Sequence, residues 1–233
     1  MGSFPQSIVH YLPVTDHDER WGIVCTTAGY QNVPPGSPYP LTQHPDSYSF
    51  TRSRGRVLGE YQLLYIVSGQ GEFRSASSPA APVKAGTVVM LFPDEWHTYA
   101  PDPETGWEEW WVGFRGENID RRVAEGFFSP KTPLLHIGHS AGIVSCYQEI
   151  IRSAEEERKG FQQLVTGIVL HLLGSVLFKR DNLQYLDNPI VEKINRAREM
   201  MRRHIGDNLP PEEIARRLNI GYTWFRRTFR AYV

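Results

Sequence analysis

Near His136 the chain changes its apolar period, and that change limits what it can fold into. Before it, short runs rich in β-branched and aromatic residues are separated by Gly and Pro: WGIVCTTAGY, YQLLYIVSGQGEF, GTVVMLF and WEEWWVGF. Runs of this length bounded by turn residues read as strands. From Ser140 to Arg180 apolar residues recur at three and four instead. They are Ile143, Val144, Tyr147, Ile150 and Ile151, then Leu164, Val165, Ile168, Leu172, Leu173 and Val176, the period of two helices. The acidic run SAEEERKG separates them, with Gly160 as the breaker. Strands followed by helices, rather than alternating with them, predict an α+β chain whose strands form an antiparallel sandwich or barrel. Most of the 17 prolines lie in the strand part, and NVPPGSPYP cannot join a central strand, so it is a loop or an edge.

A chain of 233 residues, 40% hydrophobic, can bury a substantial core. Its longest apolar run, LVTGIVLHLLGSVLF from Leu164 to Phe178, carries His171 and falls short of the ~18 to 20 residues a bilayer demands, so no membrane helix is expected. The N-terminus lacks the basic, apolar and small-residue pattern of an export signal, which makes the cytoplasm the expected location. Two cysteines, Cys25 and Cys146, make neither a disulfide framework nor a zinc cluster and read as small buried apolar residues.

Charge is unevenly spread. From Pro189 to Val233 ten Lys and Arg face five Asp and Glu, a surplus of five, which against the net charge of −1 leaves −6 for residues 1–188. A basic segment on an acidic body points to a phosphate-bearing partner for that segment. After the linker KRDNLQYLDNPI, Ile190, Ile194, Ala197, Met201 and Ile205 form one stripe of a helix closed by Gly206. Pro210 and Pro211 precede EEIARRLNI, whose buried face is Ile214, Ala215 and Leu218. The segment NIG breaks the period, and YTWFRRTFR resumes it with Phe225 and Phe229 four apart. Two short helices joined by a tight turn make a helix-turn-helix. On this reading Tyr222, Thr223, Trp224, Arg226, Arg227 and Arg230 lie away from Phe225 and Phe229. Arginine can pair bidentately with guanine, threonine and aromatic carbons can meet a thymine methyl, and Arg230 can hold a phosphate.

In the strand part, spacing brings chemistry together. His97 and Tyr99 are two apart and share a strand face, as do Trp107, Glu109 and Trp111. Rings interleaved with His and Glu suit a carbohydrate, whose apolar faces meet rings and whose hydroxyls meet polar groups. Taken singly, each of these aromatics is equally at home in a barrel core.

The segment NLPPEEIARRLNIGYTWFRRTFRAYV resembles the first helix-turn-helix of AraC/XylS-type transcription regulators, through Ile214-Ala215, Leu218-Asn219-Ile220 and Arg227-Thr228-Phe229-Arg230. It departs from that pattern at Pro210 and Gly221, where a capping Ser or Thr is common. GEYQLLYIVSGQGEF, VKAGTVVMLFPDEWHTYAPD and GWEEWWVGFRG stand in the order of the cupin-like, sugar-sensing domain of the same family. The resemblance implies a jelly-roll sensing domain over residues 1–138, a helical dimerisation and linker segment over 139–188, and a helix-turn-helix over 189–233. Its second half is missing, so the chain reads as truncated and its promoter binding as weak.

The same resemblance implies DNA contacts at Thr223, Trp224, Arg226, Arg227 and Arg230, and a homodimer formed through residues 140–180. It places His97, Tyr99, Glu109 and Trp111 around an effector, with an arginine, Arg52 or Arg54, closing on it, and makes an N-terminal arm including Phe4 and Tyr11 a candidate cover. Cupin enzymes hold a metal with several histidines. Here EYQLLYIVSGQGEF has none and His97 stands alone, so no metal, cofactor or catalytic residue is expected. Two rival readings remain: a cupin enzyme using His97 and Glu109 as acid and base, and a stand-alone dimeric ligand-binding module.

Overall fold

The computed structural model describes residues 7–39, 51, 53–183, 193–194, 196–198, 200–201 and 209–232. They fall into two compact units, Met1–Arg180 and Asp181–Val233. Of the expected helix after Pro189, residues 193–194, 196–198 and 200–201 are described and helical, whereas its start, its stripe residues Ile190 and Ile205 and its closing Gly206 lie outside the described residues, as do Phe4 and Arg52.

Among the described residues of the first unit, eight strands run in chain order with two short helices inserted, α1 (Asp16–Glu19) after the first strand and α2 (Glu117–Ala124) before the last. The strands are β1 (Ser7–Tyr11), β2 (Val24–Val33), β3 (Tyr61–Ser75), β4 (Ala81–Lys84), β5 (Thr87–Leu91), β6 (His97–Pro101), β7 (Trp107–Arg115) and β8 (Leu134–His136). The main sheet runs β1-β2-β7-β3-β5-β8, and the far half of the 15-residue β3 leaves it to pair with β4 and β6. Every described pairing is antiparallel, so β3 belongs to two sheets that enclose a core. This is the cupin-like, α+β architecture expected of the strand-then-helix order.

Alternation decides which side each residue takes. Leu64 and Ile66 of β3, Val89 and Leu91 of β5, Tyr99 of β6, and Trp107 and Trp111 of β7 face inward, with Phe73 and Val83 closing from the second sheet. Leu63 and Tyr65, Val88 and Met90, and Trp110, Val112 and Phe114 face outward into a second cluster, which α3 (Ala141–Glu156) and α4 (Phe161–Asn182) cover. The helical segment therefore shares its core with the barrel and does not form a layer of its own.

The hydroxyls of two tyrosines, Tyr65 of β3 and Tyr147 of α3 itself, hold α3 in place. Tyr65 donates to the Gly138 carbonyl (2.9 Å) and accepts from the Ser140 amide (3.0 Å), where the period changes, and Tyr147 donates to the Leu63 carbonyl (2.9 Å). Glu157, at φ 42°, ends α3 in the left-handed region, whereas Gly160 opens α4 by accepting from the Leu164 amide. Leu164, placed on the buried stripe by its period, is 54% exposed, and the packed residues of α4 are Val165, Val169, Leu172, Leu173 and Val176. The helix is 22 residues long and holds an 18-residue stretch with a mean hydropathy of 1.6, enough to cross a membrane by length and composition, because it runs on at both ends of the apolar stretch read from the sequence. A core helix has the same length and apolarity, and the packed face of α4 makes it one. Cys25 is fully buried, which raises its thiol pKa, and Cys146 is partly buried.

Strand β2 carries a bulge between Cys25 and Thr27 that breaks its ladder with β7. Gln162 of α4 fills the gap: it accepts from the Cys25 amide (3.0 Å) and donates to the carbonyls of Cys25 (2.9 Å) and Pro13 (3.0 Å). Leucine at this position would leave a buried amide and two carbonyls unpaired, so Gln162→Leu is expected to cost at least ~2 kcal/mol in urea unfolding.

In the second unit, α5 (Pro211–Arg217) and α6 (Tyr222–Tyr232) pack with Ile194 and Ala197 around Ile214, Ala215 and Phe225, all buried. The left-handed residue of the intervening turn is Asn219, at φ 52°, and Gly221 accepts the first bond of α6 from the Phe225 amide (2.9 Å). Asparagine tolerates that conformation through local side-chain bonding.

Candidate functional site

The inward face of β2, β3 and β7 holds the polar residues that a closed apolar core would lack. In β2 it carries Thr27, Gly29, Gln31 and Val33, the last three paired with Trp111, Glu109 and Trp107 of β7. On the other side of β7, Ile66 pairs with Glu109 and Leu64 with Trp111. Gly29 leaves the space that the Trp111 ring occupies; a Cβ there would overlap it. Glu109, Gln31 and Trp107 are 3%, 2% and 2% exposed.

Into this face comes an arginine that spacing alone did not select. Arg56 forms a two-bond backbone bridge with His97 (2.9 and 3.0 Å). Its guanidinium donates to Tyr99 Oη (2.7 Å), His97 Nε2 (3.2 Å) and Gln62 Oε1 (3.4 Å). Gln62 passes the chain on to Glu60 (2.8 Å), which also accepts from Thr27 (3.2 Å). Arg54 is exposed, and its carbonyl accepts from Trp96 Nε1 (2.9 Å). Between them Gly55, at φ 62°, lets the chain turn against the Trp96 ring, so the residue that enters is Arg56. Arg52, Arg54 and Arg56 share one parity, so strand alternation could not separate them. Gly55, a candidate turn residue, was the available signal.

His97, Tyr99, Glu109 and Trp111 all face this interior. The His97 and Tyr99 rings stack with centroids 6.2 Å apart, and Tyr99 lies 6.1 Å from Trp107. Sequence reading missed Tyr39, from the Pro-rich loop after β2. Its hydroxyl donates to Glu109 (3.1 Å), and its ring meets Trp107 edge-on at 5.7 Å and Tyr99 at 6.2 Å. Nothing in the local pattern marks a loop tyrosine as inward. Of the candidate arm, Ser7–Tyr11 is part of the sheet: β1 pairs with β2 there, Val9 packs on the interior cluster, and Tyr11 is 40% exposed.

Burial sets the charges of the site. Desolvation lifts the Glu109 carboxyl to about 8, against the lowering influence of the Tyr39 hydrogen bond and the Arg56 charge, so near neutrality it is mainly an uncharged acid. Desolvation and then the Arg56 charge push His97 down to about 4. Its Nδ1 lies 3.0 Å from the Glu95 carbonyl, so the neutral ring carries its proton there and offers Nε2 to Arg56. The imidazole lone pair is thus engaged by a cation, and among the described residues no three His, Cys, Asp or Glu side chains gather to hold a metal. Two donors on the inward face, Gln31 Nε2 and Trp107 Nε1, have no hydrogen-bond partner among the described residues.

On α6, Thr223, Arg226, Arg227 and Arg230 are exposed. Trp224 is not on that face: it is partly buried against the small core with Phe225 and Phe229. An indole one position from Phe225 is wide enough to reach the core across the helix. On α5, Glu213 holds Arg216 and Arg217 at 2.7 and 2.8 Å, and those hydrogen bonds lower its carboxyl to about 2.

The Glu109 carboxyl makes stability depend on pH in a defined direction. Its folded value is raised, so from about 4.5 to about 8 the unfolded chain has released a proton that the folded chain keeps, and stability falls as pH rises. His97, depressed from 6.5 to about 4, works the other way below 6.5. The decline due to Glu109 is therefore clearest between about pH 6.5 and 8. Glu109→Gln is expected to flatten that limb in urea titrations; an unchanged slope would mean the carboxyl is already ionised.

The profile of the AraC-like ligand binding domain matches residues 35–173, more than half of the chain. The Msm operon regulatory protein of Streptococcus mutans is 22% identical over 177 residues, 75% of this chain and 63% of that protein. The raffinose operon transcriptional regulatory protein RafR of Pediococcus pentosaceus is 29% identical over 94 residues, 39% of this chain and 34% of that protein. The chain therefore spans less than two thirds of the length of either relative. Among solved structures, the AraC-like transcriptional activator CuxR aligns over 98% of this chain and 87% of its own, at 13% identity and a TM-score of 0.35. By the profile match, with the cupin-like sheet that carries it, the chain belongs to the AraC-like ligand binding domain family.

Proposed function

We propose that this chain is the sensing part, together with a DNA-reading helix pair, of a cytoplasmic transcription regulator that responds to a carbohydrate. The observation that carries this reading is the pair of buried donors Gln31 Nε2 and Trp107 Nε1, without partners among the described residues, on the face that also holds Glu109 and Trp111. A buried donor left unpaired costs about 1–3 kcal/mol, which a ligand bearing acceptor oxygens relieves. Tyr99, Trp107 and Trp111 offer rings to the apolar face of a sugar, while Arg56 and Glu109 offer a donor and a mainly uncharged acid to its hydroxyls. The operon names of the two relatives agree with a sugar effector. Binding is favoured over turnover because the lone pair of His97, the base of any acid–base pair with Glu109, is held by Arg56.

A thermal-shift screen of the chain with raffinose and its component sugars tests this. A ligand at a hundredfold excess over its Kd is expected to stabilise by about 2.7 kcal/mol, and Arg56→Ala and Trp111→Ala are expected to abolish the shift. No shift with any sugar, beside a shift with a non-carbohydrate, would overturn the assignment.

The DNA side rests on the exposed Thr223, Arg226, Arg227 and Arg230 of α6, with Trp224 now a core residue of that helix pair. Dimerisation through residues 140–180 is supported by Leu164 and Phe178, four turns apart on α4 and 54% and 66% exposed. In the complete regulator, Arg227→Ala is expected to cost about 1–3 kcal/mol in promoter affinity and to relax preference at one base position, read by binding at fixed salt.

A further inference from the structure

The loop from Pro34 to Tyr39 is fastened before it reaches the site. The Gly36 amide donates to the Pro103 carbonyl (2.8 Å) and the Ser37 amide to the Pro34 carbonyl (3.1 Å). Gly106, at φ 61°, presses so closely on Val33 and Pro34 that a Cβ there would collide with their backbone. From this base Tyr39 reaches inward. Its hydroxyl lies 3.1 and 3.5 Å from the two Glu109 oxygens, so both face the phenol. With the ring in place, Glu109 is only 3% exposed.

A phenol is an apolar ring carrying a hydroxyl, and it takes from this site what a sugar would take: the carboxyl for its hydroxyl, Trp107 and Tyr99 for its ring. A ligand that uses Glu109 and the Trp107 ring must have the volume Tyr39 fills. We propose that Tyr39 is a built-in competitor that occupies the effector position, and that effector binding displaces it from Glu109. The backbone anchors at Gly36 and Ser37 lie before Tyr39, so they need not break when it leaves. The proposal rests on the carbohydrate reading of this site for its ligand, but not for the plug itself. It also gives the site a built-in signal, because an effector that expels Tyr39 alters the Pro34–Tyr39 segment, whereas one that binds beside it does not.

Calorimetric titration of the whole chain with raffinose, in wild type, Tyr39→Phe and Tyr39→Ala, separates a plug from a wall. A plug closed nine parts in ten of the time weakens apparent affinity about tenfold, so Tyr39→Ala is expected to bind about tenfold tighter, with Tyr39→Phe between the two. Weaker or equal affinity in Tyr39→Ala would mean that Tyr39 is a fixed wall of the site, and the proposal falls. If neither wild type nor variant binds raffinose or its component sugars, the carbohydrate reading falls, and a measurement without ligand decides the plug. The Trp107 indole N–H resonance, assigned by its loss in Trp107→Phe, should exchange with solvent at least several-fold faster in Tyr39→Ala. Unchanged exchange would overturn the proposal.

Discussion

The pairing of β3 with β7 is the contact on which the rest of the first unit depends. Where they pair, Tyr61–Ile66 of β3 and most of β7 are buried on both faces, so each residue there must satisfy one of two cores. Leu63, Tyr65, Trp110, Val112 and Phe114 need a cover outside the sheet, which α3 and α4 supply. Leu64, Ile66, Trp107 and Trp111 need a second sheet inside, which the far half of β3 makes by turning away to β4 and β6. A slip of one residue in this register would exchange the two sets and put Glu109 under the helices. The bulge that Gln162 fills belongs to the same requirement, since it adjusts β2 where the ladder with β7 would otherwise drift.

Once the register is set, the polar residues of the inner face are largely cut off from water, and most of them answer to one another. Arg56 is matched by Tyr99, His97 and Gln62, and Gln62 leads on to Glu60 and Thr27. Glu109 adjusts in another way, by holding its proton, and Tyr39 supplies its hydrogen bond. A chain selected for stability alone would fill such a face with Val and Leu, because a paired buried charge rarely outperforms a well-packed apolar group. The concentration of donors, a cation and an uncharged acid between aromatic rings is the composition that the proposed recognition of a polar, partly apolar guest would use.

Much of this was legible along the chain. The switch of period near His136, the Gly and Pro boundaries and the stripes of α3, α5 and α6 are local, and local spacing records them faithfully. So is the sharing of a face by His97 with Tyr99 and by Trp107, Glu109 and Trp111, since strand parity needs no partner. The failures also follow a rule. Leu164 and Trp224 were assigned from period alone, but exposure depends on what lies opposite: Leu164 turns to the open side of α4, and the indole of Trp224 is wide enough to reach around its helix into the core.

The amino-acid order by itself determined the element types, their sequence, the helix-turn-helix and the shared faces of His97 with Tyr99 and of Trp107, Glu109 and Trp111, because each follows from a period of two or of three to four residues. Only the tertiary structure decided that Arg56 and not Arg54 enters the interior, that Tyr39 lies against Glu109, and that the carboxyl there keeps its proton near neutrality. Those outcomes depend on where loops return and how much water remains around a charge. Both are fixed by contacts between residues tens of positions apart, and no local pattern encodes them.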